Sequence, residues 1–219
     1  MARAARLPLI ATAAVALAGC GGGGYGGTDD SAVPPTTTAQ AKPGATGACP
    51  VTGKQVQLPR LDPRKTYTVT MRTNLGTFAF RLDVKDSPCT TASFAALVRR
   101  GFFDGTRFHR IVPRFVIQGG DPTGSGTGGP GYSVVDTPPP TARYTKGVVA
   151  MAKTGAEPAG TSGSQFFVVT AADAGLPPEY ALLGKVTRGL AVVEKIGKLG
   201  DAMERPTRKV VIESATVSS

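Results

Sequence analysis

The chain runs to 219 residues with a formal net charge of +10, and its mean hydropathy is −0.02. That length holds one domain of ordinary size plus extensions, and a hydrophobic fraction of 41% is enough for a single core. The basic residues are scattered and form no long Lys/Arg run, which argues against a nucleic-acid binder and for a solvated surface that favours anionic envelope polymers.

At the amino end, Arg3 and Arg6 precede an apolar stretch from Leu7 to Leu17. It is too short to span a bilayer, which needs roughly 20 apolar residues, and reads as the h-region of a signal peptide over residues 1–19. The arginines are not adjacent, so a twin-arginine signal is not expected. Leu17-Ala18-Gly19-Cys20 resembles the lipobox of bacterial lipoproteins. The resemblance implies cleavage before Cys20, lipid on that residue, and a protein exported and anchored to the outer face of the bacterial cell membrane. The alternative is an ordinary signal peptide with Cys20 a chance thiol. Loss of Arg3 and Arg6 with the leader takes the net charge to +8.

Residues 20–60 carry Gly21-Gly22-Gly23-Gly24, Thr36-Thr37-Thr38, Pro34, Pro35 and Pro43. With little to bury, this segment is expected to be a flexible tether, and the folded domain to occupy 61–219. Cys49 and Cys89 remain. An even remainder in an exported protein is consistent with one disulfide, against two unpaired thiols. Neither has metal-ligand spacing, so no metal site is expected.

In the folded part, Tyr67, Val69 and Met71 alternate with Thr68, Thr70 and Arg72, which predicts a strand. Asn74-Leu75-Gly76 is a turn, and Phe78, Phe80 and Leu82 make the partner strand. Ser87-Pro88 reads as N-cap and first residue of a helix with Phe94, Leu97, Val98 and Phe102 on one face. Arg99-Arg100 and Gly101 suit its end. Gly124 to Gly131 is a glycine loop; Pro130 interrupts it and no helix follows, so it is read as a surface turn rather than a nucleotide site. Gly147 to Ala152, Gln165 to Thr170, Ala181 to Val186 and Lys209 to Val217 are strands, Gly155 to Gly163 is a polar loop, and Leu190, Val193 and Ile196 mark a second helix. Many strands, two helices and short turns predict an antiparallel barrel with helices against its ends.

The central stretch runs Phe108-His109-Arg110-Ile111-Val112-Pro113-Arg114-Phe115-Val116-Ile117-Gln118-Gly119-Gly120-Asp121. It reads as two short strands about a turn at Pro113-Arg114. Alternation puts Phe108, Arg110 and Val112 on one side, and Phe115, Ile117 and Gly119 on one side of the second strand. His109 then points away from Arg110 and is read as structural. A cation among apolar groups is either a structural ion pair or a functional charge. No Ser-His-Asp arrangement, cysteine–base pair or carboxylate pair is evident. Rotation of an X-Pro bond suits such equipment. It breaks no covalent bond, and its barrier of about 20 kcal/mol is amide resonance that a well-placed donor weakens.

Phe108-His109-Arg110-Ile111, Phe115, Gln118-Gly119-Gly120-Asp121 and Gly163-Ser164-Gln165-Phe166-Phe167 together resemble the cyclophilin peptidyl-prolyl isomerases, from about Tyr67 to Val217. The resemblance implies an eight-stranded antiparallel barrel capped by two α-helices, with a groove for proline-containing peptides and unfolded proteins. It implies no cofactor and a folding factor for envelope or secreted proteins, expected as a monomer. By position, Arg110 matches the catalytic arginine and Gln118 the glutamine that bonds substrate backbone and orients it. Phe115 and Phe167 match walls of the proline pocket, Ala152 its edge, and Leu176 its leucine. Val116 stands where methionine is common. Lys153 replaces an asparagine that contacts substrate through its backbone, so its side chain adds charge there. Tyr180 replaces a pocket histidine. Gly175 falls near a tryptophan used for cyclosporin binding, so affinity for that drug is expected to be weakened. The runner-up is a non-catalytic proline-peptide-binding or chaperone module on the same fold.

Overall fold

The structure, a computed structural model, describes residues 47–219. The expected leader at 1–19, the expected lipidation site Cys20 and the expected tether as far as residue 46 lie outside the described residues. Eight strands form the main sheet: β2 (Thr68–Thr73), β3 (Gly76–Leu82), β4 (Arg110–Val112), β5 (Val116–Gly119), β7 (Val148–Met151), β9 (Phe166–Val169), β10 (Leu182–Arg188) and β11 (Ile212–Ser218). Their order is β11-β2-β3-β10-β7-β9-β5-β4. Every pairing is antiparallel. The two edges meet at one end, where Arg107 bridges Val211 and the Phe108 amide donates to Val210 O at 3.0 Å. The expected mainly β architecture with two helices is therefore present, as a curved half-barrel.

A smaller sheet, β1 (Thr52–Gly53), β6 (Tyr132–Val135) and β8 (Thr161–Ser162), has the order β1-β6-β8. The sequence did not announce it: its strands are too short for a period to develop, and β8 lies inside the stretch read as a polar loop. Residues 47–60, read as the end of the tether, pack on the domain. Leu58 is fully buried, and the Cys49 amide donates to Leu58 O at 3.1 Å. Cys49 is bonded to Cys89 with the Cα atoms 5.3 Å apart. A covalent closure lets a few apolar contacts, here Val51, Val56 and Leu58 on Ala92 and Tyr132, order a polar segment.

Helix α1 (Pro88–Arg99) follows its signals. Ser87 is the N-cap residue and Pro88 opens the first turn, while Gly101 at φ 67° ends it. Ser87 Oγ makes no capping bond; Asp136 reaches over instead, its Oδ2 accepting from the Thr90 amide at 2.5 Å. Phe94, Leu97 and Val98 are buried as expected, and Phe94 meets the Phe103 ring at 4.6 Å and the Phe166 ring at 5.6 Å. Helix α2 (Leu190–Gly197) packs on β3, β4 and β5.

Two details of the central stretch depart from strict alternation. Phe108 is in the inner core with Ile111, not beside Arg110, because it pairs with Val210 before β4 begins. Phe115 packs with Val116 on the outer cluster, not with Ile117, because it belongs to the turn, where its amide donates to Val112 O at 3.0 Å. Pro113 and Arg114 form that turn as read, with Arg114 at φ 60°.

The glycine loop after β5 is gathered by Asp121, which is fully buried. Asp121 Oδ1 accepts from the Thr123 amide at 2.7 Å and its Oδ2 from the amides of Gly126 at 2.6 Å and Gly128 at 3.2 Å. Burial alone would raise this carboxyl, but the donors from Thr123, Gly128 and Gly126 outweigh it and hold it well below the usual range. Gly120 precedes it at φ 85°, and a Cβ there would stand 2.3 Å from Ser164 O, so no other residue fits. The His109 ring lies beneath Gly126 with neither nitrogen hydrogen-bonded among the described residues. Burial pushes its pKa down from 6.5.

Two outcomes follow from this frame. Cys49→Ser lowers the free energy of unfolding by about 2–4 kcal/mol in urea titrations, and added reductant does the same to the parent chain; an unchanged midpoint in both contradicts a stapled strap. The folded state resists protonating His109 while the unfolded chain accepts a proton near pH 6.5. Stability is therefore full above that pH and falls as the pH drops below it. His109→Gln flattens this acid limb when unfolding is compared at about pH 7.5 and about pH 5; an identical slope in both proteins contradicts it.

Candidate active site

Register builds the site. Arg110 on β4 faces Gln118 on β5, Gln118 faces Phe167 on β9, and Phe167 faces Ala150 on β7. Side chains alternate across a sheet, so these four share its outer face. The neighbouring row, Ile111, Ile117, Val168 and Val149, faces inward, and all four are 0% exposed. Arginine and glutamine thus sit beside an aromatic wall because the inner row is fully apolar.

The polar side of the site is a chain of donors and acceptors. Arg110 Nη1 donates to Gln118 Oε1 at 3.2 Å, and Gln118 Nε2 donates to Gln165 Oε1 at 3.0 Å. Gln165 Nε2 in turn donates to Gly126 O at 2.9 Å and Gly128 O at 3.0 Å. Each amide oxygen and nitrogen has one role, so the orientation is set from the Asp121-bound loop outward. Arg110 Nε also donates to Glu204 Oε2 at 2.6 Å. Of the two readings open for Arg110, a buried ion pair is not what forms: the arginine side chain is 38% exposed and that of Glu204 45%.

The apolar side is a separate cluster on the outer face. Val116, Tyr144, Val148, Ala150, Phe167 and Val169 are its buried floor. Phe115, Ala152, Leu176 and Tyr180 pack around it, half-buried, so the expected pocket residues converge. The Phe167 and Tyr180 rings meet edge to face at 5.5 Å. Tyr144, to which the sequence assigned no role, holds the wall: its hydroxyl donates to Tyr180 O at 2.6 Å and accepts from the Tyr180 amide at 2.9 Å. Burial is the main reason its pKa is pushed up to about 12, so the hydroxyl keeps the proton it donates.

Lys153 does not offer its ammonium to the groove. Its side chain is 4% exposed, with Nζ 3.1 Å from Glu179 Oε2. Nζ also donates to Thr154 O and Glu157 O, both at 3.2 Å, and sits 5.6 Å from the Tyr180 ring centre. A buried ammonium needs its three donors used, and the surrounding loops supply the acceptors. Adjoining Gln118 is a cleft of about 450 Å³ bordered by Thr127, Ser133, Thr154 and Gln165.

Gln165 and Glu204 were missed as site residues. Gln165 stood inside the quoted motif without an assigned role. Glu204 lies 94 residues from Arg110, in a loop that offered no periodic signal. The assembled geometry has a cation fixed by two hydrogen bonds on the same sheet face as an apolar, aromatic cluster, groups suited to holding a ring and stabilising charge that shifts along an adjoining amide.

Known proteins resemble the chain in sequence and fold. Residues 68–217 match the family described as cyclophilin type peptidyl-prolyl cis-trans isomerase/CLD. The chain is 39% identical over 152 residues to peptidyl-prolyl cis-trans isomerase-like 1 of Mus musculus, covering 67% of this chain and 90% of the relative. It is 38% identical over 175 residues to peptidyl-prolyl cis-trans isomerase A of Mycobacterium tuberculosis, covering 71% and 94%. A crystal structure of a Cryptosporidium parvum cyclophilin type peptidyl-prolyl cis-trans isomerase superposes with a TM-score of 0.66 at 32% identity, covering 71% of this chain and 99% of that one. A second, obtained in the presence of the dipeptide Ala-Pro, gives a TM-score of 0.64. By family match, by relatives and by fold, the chain belongs to the cyclophilin-type peptidyl-prolyl cis-trans isomerases.

Proposed function

We propose that Arg110 carries the isomerisation, on a proline held against Phe115, Val116, Phe167, Leu176 and Tyr180, with Ala152 at the edge and Gln118 orienting the guanidinium. The observation that supports this most is the outward row Arg110–Gln118–Phe167, where a half-exposed cation held by an amide adjoins the aromatic wall. As the X-Pro bond twists, resonance fails and the lone pair localises on nitrogen. A guanidinium donor at that nitrogen bonds more strongly in the twisted state than in either planar one, which is what acceleration requires. No proton leaves the protein and no nucleophile is needed. Lys153 contributes by its backbone and by fixing the Tyr180 wall, its charge being used internally.

The physiological reading adds the leader. An exported enzyme, lipid-anchored through Cys20 and held off the membrane by the Gly/Thr/Pro-rich segment, would act on envelope or secreted chains whose X-Pro bonds limit folding. The bonded pair Cys49–Cys89 supports an oxidising compartment.

A protease-coupled proline-peptide assay tests the site. Arg110→Ala is expected to lower kcat/KM by about 10²-fold or more, and Phe167→Ala to act chiefly through KM; rates equal to the parent in both overturn the assignment, and parent rates at background favour a binding module. Metabolic labelling with an alkyne fatty acid tests the anchor: the parent takes label and Cys20→Ala does not, whereas equal labelling removes Cys20 from the account.

A further inference from the structure

We propose that Glu204 is a positioning residue for catalysis: a strained turn holds its carboxylate on Arg110 so that the guanidinium presents one edge to the substrate. This rests on the reading of Arg110 as the polarising cation.

The backbone is the first observation. Glu204 adopts φ 62°, a region that side chains other than Gly, Asn and Asp rarely occupy. Glycine is the residue that fits this conformation without cost, and what Glu204 adds over glycine is a carboxylate that reaches Arg110. The turn is built with care. Asp201 Oδ1 accepts from the amides of Met203 and Arg205, both at 2.8 Å, and the Glu204 amide donates to Asp201 O at 3.0 Å. The turn is then pressed onto β4. The Ile111 amide donates to Glu204 O at 2.8 Å, and a Cβ on Gly200 would lie 2.2 Å from Ile111 O. Glu204 therefore grips adjacent residues of one strand, by its backbone at Ile111 and by its side chain at Arg110.

The guanidinium is the second observation. Nε is bound by Glu204 at 2.6 Å and Nη1 by Gln118 at 3.2 Å, while Nη2 makes no hydrogen bond among the described residues. One anchor leaves a planar group free to rotate; two anchors fix its plane and leave the Nη2 side for a ligand. The pair is half-exposed, so it adds little to stability. The carboxylate also dampens the charge on Arg110, but in a solvated setting that loss is modest, and orientation of a reacting partner is worth more.

The test uses the full-length chain in detergent, with Glu204→Gly, Glu204→Gln and Arg110→Ala beside the parent, reading kcat/KM, Tm and the Arg110 Nε–H signal in 15N NMR. Glu204→Gly relieves the backbone, so Tm is unchanged or higher, yet kcat/KM falls by about tenfold and the Nε–H signal loses its protection from exchange. Glu204→Gln keeps an acceptor and restores more than half of the lost rate and the signal. A merely structural role would move Tm down and leave the signal in place; that outcome overturns the proposal. So does a Glu204→Gly rate at or above the parent, which would make the carboxylate neutral or inhibitory while leaving the assignment of Arg110 standing. Full activity in Arg110→Ala is the different failure: it removes the reading beneath, and this inference with it.

Discussion

Ile111, Ile117, Val168 and Val149 fill the inner row across β4, β5, β9 and β7, and that row fixes the outer one. A slip of one residue would turn Arg110 and Gln118 into a fully buried core and Ile111 and Ile117 into water. Unpaired burial of a guanidinium is too costly for that alternative to compete. The hydrophobic effect, which carries no chemical information of its own, thereby sets the lateral distance between a cation and an aromatic wall.

Around this frame the polar groups are spent on holding loops still. Asp121 ties the glycine loop from below, and the Tyr144 hydroxyl satisfies both backbone groups of Tyr180. The Lys153 ammonium locks the opposite rim. Their pKa shifts fit the tasks: a carboxylate held ionised by its donors, and a phenol held protonated by burial. A reaction whose barrier of about 20 kcal/mol is resonance alone gains from such rigidity, since donors that need not reorganise stabilise the twisted amide most.

Much of this was legible in the residues. Alternation in Tyr67-Val69-Met71 and Phe78-Phe80-Leu82, and the Ser87-Pro88 start of α1, come from local chemistry and appear where expected. Arg110, Phe115, Gln118 and Phe167 stand in the quoted motifs, Leu176 and Tyr180 were carried over by position, and the structure gathers these residues on the outer face of the sheet. What escaped depends on tertiary approach. Glu204 reaches Arg110 from a turn far along the chain that docks on β4; the strap at 47–60 is crosslinked to α1 and buries Leu58; Lys153 turns inward to Glu179 and two carbonyls. Composition has no term for such meetings. Phe108 and Phe115 show the complementary limit: alternation holds inside a paired strand and lapses one residue beyond it.

A crystal structure of the chain with an X-Pro peptide tests the central claim most directly. The account predicts the proline ring on the floor of Phe167 and Val116, walled by Phe115 and Tyr180, with Arg110 Nη2 about 3 Å from the prolyl nitrogen or its flanking carbonyl. A ring seated elsewhere, or an Arg110 head group that does not face the peptide, contradicts it.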